Sequence, residues 1–338
     1  TGVDQSTIVA LAREFARARR PIALCGRGQG TVPGDFGEYV AVHALNALVG
    51  NINRPGGAWA MPRPGMDGWL EPVLDAPAEA GLAKPRLDGA GSAAFPFAEQ
   101  LFNRVPVALK AGEPYPCQAL LVYDANPLFS MPGSGLVREA LQQIPFIVSF
   151  ASHMDETAMM ADVILPNLAH LERWEDVPVT EGFHRPMLGL AQPVVDPQFD
   201  TLHAGDTILQ LAAALGGTVA ASLPWENYEA CLKEALSPHW AELEDRGYWI
   251  DENFTPDDWS LAFPTASGKF DFAVSGADLK TLFAMTAPQG DDGSYNLKLI
   301  PYDSVRIANG AVGSPPFLIK IVSDKVLKGK TVLVEVNP

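Results

Sequence analysis

The sequence predicts an α/β fold: a doubly wound, mainly parallel sheet with flanking helices, followed by the start of a small β-rich domain. Two observations predict it. Short apolar runs that suit buried strands alternate with helical segments of amphipathic spacing over much of the chain. The first of these runs leads through a glycine-rich loop into a helix, which is how doubly wound units begin. With 338 residues, of which 47% are hydrophobic and 19% charged, the chain is long enough for more than one domain and a sizeable core.

The amino-terminal segment supplies this strand, loop and helix. Apolar residues recur at helical spacing from Asp4 to Arg19, with Asp4 or Ser6 available as an N-cap, and Pro21 ends the helix. A short apolar run follows, then glycines, then a second helical pattern that closes at a glycine. The elements expected here are a helix at 4–19, a buried strand at 21–25, a glycine loop at 26–30 and a helix at 36–49.

A long segment without clear periodicity separates this unit from the remaining α/β elements. Residues 51–113 are rich in proline and glycine, and we expect them to be irregular apart from a short helix near 97–102. A loop of this length in a compact domain is usually functional. Regular alternation then resumes, and a loop is expected between residue 165 and the last helix of this part. The elements expected are strands at 119–123, 146–150 and 162–165, and helices at 135–143, near 157 and at 206–215.

The composition changes after residue 222. A helical insert is expected at 225–242, and short strands at 268–272, 297–300 and 331–336. We therefore expect three parts. They are a Rossmann-like α/β dinucleotide-binding domain at 1–222 that carries the 51–113 loop insert, a helical insert and connector at 223–290, and the truncated beginning of a carboxyl-terminal β domain at 291–338.

Charge and cysteine content argue against several functions. A net charge of −16 disfavours nucleic-acid binding, which needs a basic surface. No apolar run is long enough to cross a bilayer, so no direct membrane insertion is expected. The three cysteines, Cys25, Cys117 and Cys231, lie far apart without the spacing of a metal or iron–sulfur site. The acidic stretch at 172–176 suits a solvated or interface loop. We predict no catalytic residue and no metal ligand in this chain.

Glycines and polar residues that follow predicted strands are the candidate cofactor-binding residues. Gly26, Gly28 and Gly30 follow the first strand, where backbone N–H groups can approach a phosphate; a plain tight turn explains them as well. Asn126 and Pro127 follow the next strand, at the edge where open α/β sheets bind ligands. Asn126 suits a base edge or a phosphate, whereas the alternative is an Asx turn before proline.

A third polar group follows the strand expected at 146–150. Ser149, Asp155, Glu156 and Thr157 lie at its end and at a predicted helix start. The Asp155 carboxylate can accept hydrogen bonds from the N1–H and N2–H₂ edge of a guanine, which presents two adjacent donors. The alternative is that Ser152 or Asp155 caps the helix.

Several longer segments, taken together and in their order along the chain, resemble the molybdopterin oxidoreductase family, the dimethyl sulfoxide reductase superfamily. Other segments look like its polysulfide, thiosulfate and tetrathionate reductase branch, which includes the similar subunit of menaquinone reductase complexes. The family segments are 43–57 (HALNALVGNINRPGG), 123–127 (YDANP), 155–158 (DETA), 161–166 (ADVILP) with the following Glu172, and 267–270 (SGKF). The branch segments are 172–176 and 192–195, with Gly205 and Asp206 opening the next helix.

The resemblance implies a cofactor, partners and a cellular location. The cofactor would be molybdopterin guanine dinucleotide carrying molybdenum or tungsten, and Tyr302, Ser304 and Arg306 would lie near a pterin. In such proteins the metal-ligating residue and the iron–sulfur cluster segment lie upstream, so this chain alone is expected to be inactive. The resemblance also implies a periplasmic location, an iron–sulfur electron-transfer subunit, and a membrane quinone-binding subunit. Electrons would pass between the quinone-linked partner and a small inorganic, sulfur-type substrate.

Two other functions remain open. Some complexes of this branch use the same fold as a scaffold without a metal cofactor, in a membrane-associated quinone reductase. An unrelated NAD-linked dehydrogenase is the second. It would need an acidic residue at the end of the second strand to hold a ribose, and a long proline- and glycine-rich segment intervenes there instead.

Overall fold

The computed structural model describes residues 3–25, 36–62, 70–96, 98–179, 183–257, 261–263 and 265–273, together with 327–328 and 331–332. The chain divides into two compact units. The first unit comprises residues 1–64, 179–187 and 250–303. The second unit comprises residues 65–178, 188–249 and 304–338.

Two helices form the amino-terminal part of the first unit. α1 (Gln5–Arg17) begins after Asp4, whose side chain accepts the backbone N–H of Ser6 at 2.9 Å. The cap satisfies one of the N–H groups that a helix leaves without a partner in its first turn. α2 (Phe36–Leu48) follows. Both helices lie where the apolar spacing predicts them, so these two predictions are confirmed.

The buried strand expected at 21–25 is wrong: these residues form no strand, and the Leu24 side chain is 80% exposed. Backbone groups of this segment are bound instead by Asn46 of α2, which is completely buried. Its Oδ1 accepts the N–H of Ala23 at 2.8 Å, and its Nδ2 donates to the Ala23 carbonyl at 2.9 Å. The amide thus replaces a neighbouring strand, because it supplies the donor and the acceptor that a sheet ladder would provide. The glycine loop at 26–30 lies outside the described residues.

A tight turn follows α2. Asn53 has a positive φ of 54°, its N–H donates to the Ala58 carbonyl at 2.8 Å, and its Oδ1 accepts the N–H of Ala60 at 2.8 Å. The turn brings the backbone of Gly57 against the carbonyl of Asn51, and an added β-carbon at residue 57 would overlap it. Glycine is therefore required at this position for a steric reason.

The segment 51–113 is not irregular throughout, which corrects the expectation. Prolines stand in the first turn of the two α-helices in the described part of this segment, where the missing N–H of proline needs no partner, so they do not break those helices. Asp75 caps the first of them by accepting the N–H of Ala78 at 2.9 Å. The elements are α3 (Ala76–Leu82), a 3₁₀ turn (Phe102–Arg104) near the short helix expected at 97–102, and α4 (Val105–Ala111).

The second unit contains a parallel three-stranded sheet, as the alternation of apolar runs and helices predicts. Its strands pair in chain order, with Leu120 opposite Ile147 and Val148 opposite Val163. Helical segments connect the strands, as parallel neighbours require. The elements are β1 (Leu120–Val122), α5 (Pro127–Ser130), α6 (Ser134–Leu141), β2 (Ile147–Ser149), a 3₁₀ turn (Ala158–Met160) and β3 (Val163–Ile164).

Helices pack on both faces of this sheet. Successive residues of a strand point to opposite faces. Ile147 of β2 enters a core with α4 and α6, whereas Val148 packs against Ala204 and the partly buried Ile208 of α7 (Ala204–Leu215). The predicted doubly wound α/β class is confirmed. The first core consists of the buried residues Leu109, Val122, Leu128, Val137, Ala140, Leu141, Ile144 and Ile147.

Two strands of a second sheet lie in the segment between residue 165 and α7 that was expected to form a loop. The sheet consists of β4 (Glu175–Val179), β5 (Met187–Ala191) and β6 (Tyr248–Ile250), in that order, and β4 and β5 are the two strands in that segment. The loop expectation is wrong here because a proline in β4 and a glycine in β5 obscure the strand pattern. The sheet therefore depends on pairing between segments that lie far apart along the chain.

Short helices complete the second unit. The single helical insert expected at 225–242 is divided into two helices, and α8 (Gly217–Ser222) precedes them. The two helices that replace the insert form a second core with β5. The two helices are α9 (Tyr228–Ala235) and α10 (Trp240–Arg246). The core consists of the buried residues Leu188, Leu190, Leu232, Leu236 and Leu243, with the partly buried Trp174, Tyr228, Trp240 and Trp249 packed against it.

The carboxyl-terminal expectations have mixed outcomes. The strand expected at 268–272 is wrong, because Thr265 Oγ1 accepts the N–H of Lys269 at 3.1 Å and donates to its carbonyl at 2.8 Å, which closes a turn instead. In the second unit, β7 (Leu327–Lys328) pairs antiparallel with β8 (Thr331–Val332). Of these two strands, β8 lies within the strand expected at 331–336. The strand expected at 297–300 lies outside the described residues, and the three-part domain division stays a prediction.

Candidate functional site

The carboxyl ends of β1 and β2 carry the described candidate residues. Val122 and Ser149 are paired in parallel register, so the segments that follow them leave the sheet at the same edge. Asn126 precedes α5, and its carbonyl accepts the N–H groups of Phe129 and Ser130 at 3.1 and 2.9 Å. Pro127 occupies the first position of α5, where proline is favoured. The backbone turn after β1 thereby presents the Asn126 side chain to the segment after β2.

The Asn126 amide joins these two segments directly. Its Nδ2 donates to Glu156 Oε2 at 2.7 Å, and its Oδ1 accepts the hydroxyl of Thr157 at 2.7 Å. Thr157 is almost completely buried, and its oxygen also accepts the N–H of Leu128 at 3.2 Å. Three of the predicted residues thus form one hydrogen-bonded link at the edge of the parallel sheet. We refer to Asn126, Glu156 and Thr157 as the Asn126 link.

Glu156 gives this link a carboxylate, and Asp155 precedes it in the chain with a second one. Asp155 Oδ1 accepts the N–H of Ala158 at 2.7 Å, so that oxygen caps the 3₁₀ turn that follows. In the described part of the chain, its other oxygen forms no hydrogen bond. The hydrogen bond from Asn126 lowers the pKa of the exposed Glu156, which keeps it ionised. The edge therefore offers anionic acceptors, the groups that a guanine edge requires.

Ser149 is satisfied within the protein. Its side chain is buried, and its Oγ accepts the N–H of Ala151 at 3.2 Å, closing the turn after β2. This contact shapes the chain that leads to Asp155. The hydroxyl therefore supports the edge of the sheet from inside.

A buried arginine that the sequence interpretation missed contacts the segment that follows β1. Arg173 is only 7% exposed, and its Nη1 donates to the Leu168 carbonyl at 3.0 Å. Its Nη2 pairs with Glu175 at 2.6 Å and with Asp124 at 3.2 Å. Burial alone lowers the pKa of the guanidinium, but the hydrogen bond and charge of Glu175, together with the charges of Tyr123 and Asp124, outweigh burial, so the pKa is raised. The acidic residues that flank Arg173 in the sequence could have indicated this group of ion pairs.

A buried histidine begins α7. His203 Nδ1 accepts the N–H of Gly205 at 2.9 Å, and the ring stacks on Tyr228 with 4.3 Å between centroids. Burial lowers the pKa of His203, so the ring is neutral and carries its proton on Nε2. The Tyr228 hydroxyl donates to Asp176 at 3.1 Å, and burial raises its pKa. The sequence placed the helix start at Asp206 and so missed the capping histidine.

Gly26, Gly28, Gly30, Tyr302, Ser304 and Arg306 lie outside the described residues. A cavity of about 490 Å³ opens between Leu87, Arg104 and Val107, and no predicted cofactor residue lines it. In the described residues, no cluster of three or more His, Cys, Asp or Glu side chains could hold a metal ion. None of the described helices is long and apolar enough to cross a membrane.

Comparison with known protein families identifies the family of this chain. The molybdopterin oxidoreductase family matches residues 3–212, which include β1, β2 and the segments after them. The chain therefore belongs to the molybdopterin oxidoreductase family, and the predicted family is confirmed.

Three curated relatives indicate the branch. A menaquinone reductase molybdopterin-binding-like subunit of Nitratidesulfovibrio vulgaris is 29% identical over 341 residues, covering 100% of this chain and 43% of the relative. An arsenate respiratory reductase molybdopterin-containing subunit of Chrysiogenes arsenatis is 30% identical over 59% of this chain and 25% of the relative. A tetrathionate reductase subunit of Salmonella typhimurium is 26% identical over 58% of this chain and 22% of the relative. The chain thus spans less than half the length of these relatives.

A solved structure agrees with the fold. Acetylene hydratase from Pelobacter acetylenicus superimposes with a TM-score of 0.58 at 21% identity. The match covers 82% of this chain and 41% of that one. At this identity the likeness concerns the fold alone.

Proposed function

We propose that this chain is the cofactor-binding portion of a molybdopterin guanine dinucleotide-dependent oxidoreductase subunit. The observation that carries the proposal is the Asn126 link, which joins the segments after β1 and β2 at the edge where open α/β sheets bind ligands. Membership of the molybdopterin oxidoreductase family supports it.

The chemistry of the edge fits the nucleotide part of such a cofactor. The free oxygen of Asp155 and the ionised Glu156 are acceptors, and guanine presents adjacent donors. Asn126 supplies both a donor and an acceptor, and Thr157 and Ser149 hold the two segments from inside. When bound, the pterin-held molybdenum or tungsten supplies the redox chemistry, and the protein supplies binding and orientation. We assign phosphates to Gly26, Gly28 and Gly30 and a pterin to Tyr302, Ser304 and Arg306.

The names of the relatives support an electron-transfer role. One is a subunit of a menaquinone reductase, and others belong to arsenate and tetrathionate reductases. We propose respiratory electron transfer in the periplasm between a quinone-linked partner and a small inorganic, sulfur-type substrate. The partners that this role requires are a membrane quinone-binding subunit together with an iron–sulfur subunit. The iron–sulfur cluster and metal ligand of the parent protein would lie outside this chain.

A second candidate function has a specific observation in its favour. The relative that aligns with the whole chain is named a molybdopterin-binding-like subunit. In this alternative, the same fold is a metal-free scaffold of a membrane-associated quinone reductase complex.

Metal and nucleotide analysis of the full-length protein separates the two functions. We expect stoichiometric molybdenum or tungsten by plasma emission, together with GMP released by acid. The preparation must come from cells that make and insert the cofactor. If such a preparation contains neither metal nor GMP, the scaffold function is the correct one.

An Asp155→Ala variant tests the assignment of this residue. We expect it to reduce GMP content several-fold, because the carboxylate that faces the guanine edge is removed. Asp75→Ala is the matched control, since Asp75 also accepts the N–H three residues further on, so each variant loses a side-chain cap of the same kind. GMP content should stay at the wild-type level in the control. A wild-type content in Asp155→Ala would show that Asp155 does not bind the nucleotide.

A further inference from the structure

We propose that Arg173 is a positioning residue for the Asn126 link. Through its ion pair with Asp124, it holds the chain after β1 in the turn that presents the Asn126 amide to the segment after β2. The positioning itself is a property of the polypeptide. Its consequence for cofactor content rests on the proposed function.

The first step concerns the backbone of Asp124. Its φ is +48°, in the left-handed region that residues with a β-carbon seldom adopt. Aspartate and asparagine tolerate this region better than other such residues. Asp124 lies two residues before Asn126, so its left-handed turn sets the direction in which the chain enters α5. A change of conformation at Asp124 would therefore displace the Asn126 amide.

The second step concerns the anchoring of Arg173. Its side chain is 7% exposed, whereas that of Asp124 is 63% exposed, so the arginine is the fixed partner and the aspartate the held one. The guanidinium bridges three segments: the turn after β1 through Asp124, the chain after β3 through Leu168, and β4 through Glu175. In the described part of the chain, Nε–H has no acceptor, so Nη1 and Nη2 make every polar contact of this side chain.

The third step is the geometry that only arginine supplies. The two terminal nitrogens act at once in different directions, one toward a carbonyl and one toward two carboxylates. A lysine has a single nitrogen on a flexible stem and cannot reproduce this fork. Arg173→Lys therefore keeps the charge but should lose the positioning.

The test compares variants of the full-length protein. We expect Arg173→Met and Arg173→Lys to lower GMP and metal content several-fold. Arg86→Met is the matched control, because it breaks another arginine–aspartate pair of the second unit, 2.8 Å long, in which Asp88 is the buried partner. The control should lower Tm while cofactor content stays near the wild-type value. Equal losses in Arg173→Met and Arg86→Met at similar Tm would overturn the inference, because Arg173 would then be only structural.

Two substitutions at Asp124 provide a rescue readout. Asparagine tolerates the left-handed turn and keeps an acceptor for Arg173, whereas alanine does neither. We expect Asp124→Asn to retain most of the GMP and Asp124→Ala to lose it. Equal content in the two variants would contradict the positioning role.

Amide hydrogen exchange on cofactor-free protein separates this inference from the proposed function. The N–H groups of Leu128, Phe129 and Ser130 bind Thr157 Oγ1 and the Asn126 carbonyl. We expect them to exchange several-fold faster in Arg173→Met than in Arg86→Met. Unchanged exchange would overturn the inference whether or not the protein binds a cofactor. Absence of metal and GMP from the wild type would contradict the proposed function, whereas the comparison of hydrogen exchange in the two variants would stay valid.

Discussion

His203 shows how a single buried residue makes stability depend on pH. Its ring is 6% exposed and caps α7 through Gly205. Burial is the largest influence and lowers its pKa; Asp206 and Glu175 act in the opposite direction, and Arg173 acts with burial. The folded protein therefore keeps His203 neutral at pH values where the unfolded chain binds a proton.

We expect stability to fall as pH decreases below the ordinary histidine value of 6.5, down to the lowered pKa of the folded state. Above 6.5 both states are neutral and His203 contributes no pH dependence. His203→Asn, which retains an acceptor for the Gly205 N–H, should remove this part of the dependence. Urea unfolding at a series of pH values between about 7 and 5 measures the difference. Identical pH dependence in the two proteins would show that His203 is not held neutral by the fold.

The carboxylates of Asp88 and Glu156 change stability in a lower pH range than His203 does. The hydrogen bonds from Arg86 and from Asn126 lower the pKa values of Asp88 and Glu156, respectively. The stability that they contribute is present above their ordinary values and is lost only as pH falls further. Each of these pH-dependent contributions to stability comes from one side chain and its immediate contacts.

At the level of elements, α6 shows how a helix joins the sheet. Its residues Val137, Ala140 and Leu141 recur at helical spacing and enter the first core beside Val122 and Ile147. The opposite face carries Arg138 and Glu139, which are exposed. The pattern is local, and for that reason the sequence predicts this helix correctly.

Leu141→Ala should destabilise the protein by about 2–5 kcal/mol, because Leu141 is 4% exposed and its removal leaves a cavity in the core. Glu139→Ala on the same helix removes an exposed ion pair with Lys110 and should cost less than about 1 kcal/mol. Denaturant unfolding of both variants measures the contrast. Similar losses would mean that α6 does not bury the face assigned to it.

Other elements could not be predicted from local pattern. The expected strand at 21–25 fails because Asn46, far along the chain, takes up the backbone groups of Ala23. The strands β4 and β5 carry a proline and a glycine, and pairing within the second sheet overrides the poor strand propensity of these residues. The helix α4 was overlooked because Pro106 stands in its first turn.

At the scale of the whole molecule, the family match extends over both units, from residue 3 to residue 212. The measurement of metal and GMP tests the whole molecule, since a cofactor of this size needs segments beyond the Asn126 link. A net charge of −16 does not attract an anionic cofactor, so its phosphates depend on local backbone N–H groups and cations. This is why the glycine loop at 26–30 remains part of the proposal.

The sequence by itself determined the doubly wound α/β class, the helices α1, α2, α6 and α7, and the parallel strands, because these follow from periodicity and capping within a few residues. It also determined the family, through ordered segments such as 123–127 and 155–158. Only the tertiary structure decided that Asn126 meets Glu156 and Thr157, and that Arg173 holds Asp124. The physical reason is that these are contacts between residues separated by about 30 to 50 positions, whose partners are chosen by burial and hydrogen bonding in the folded chain.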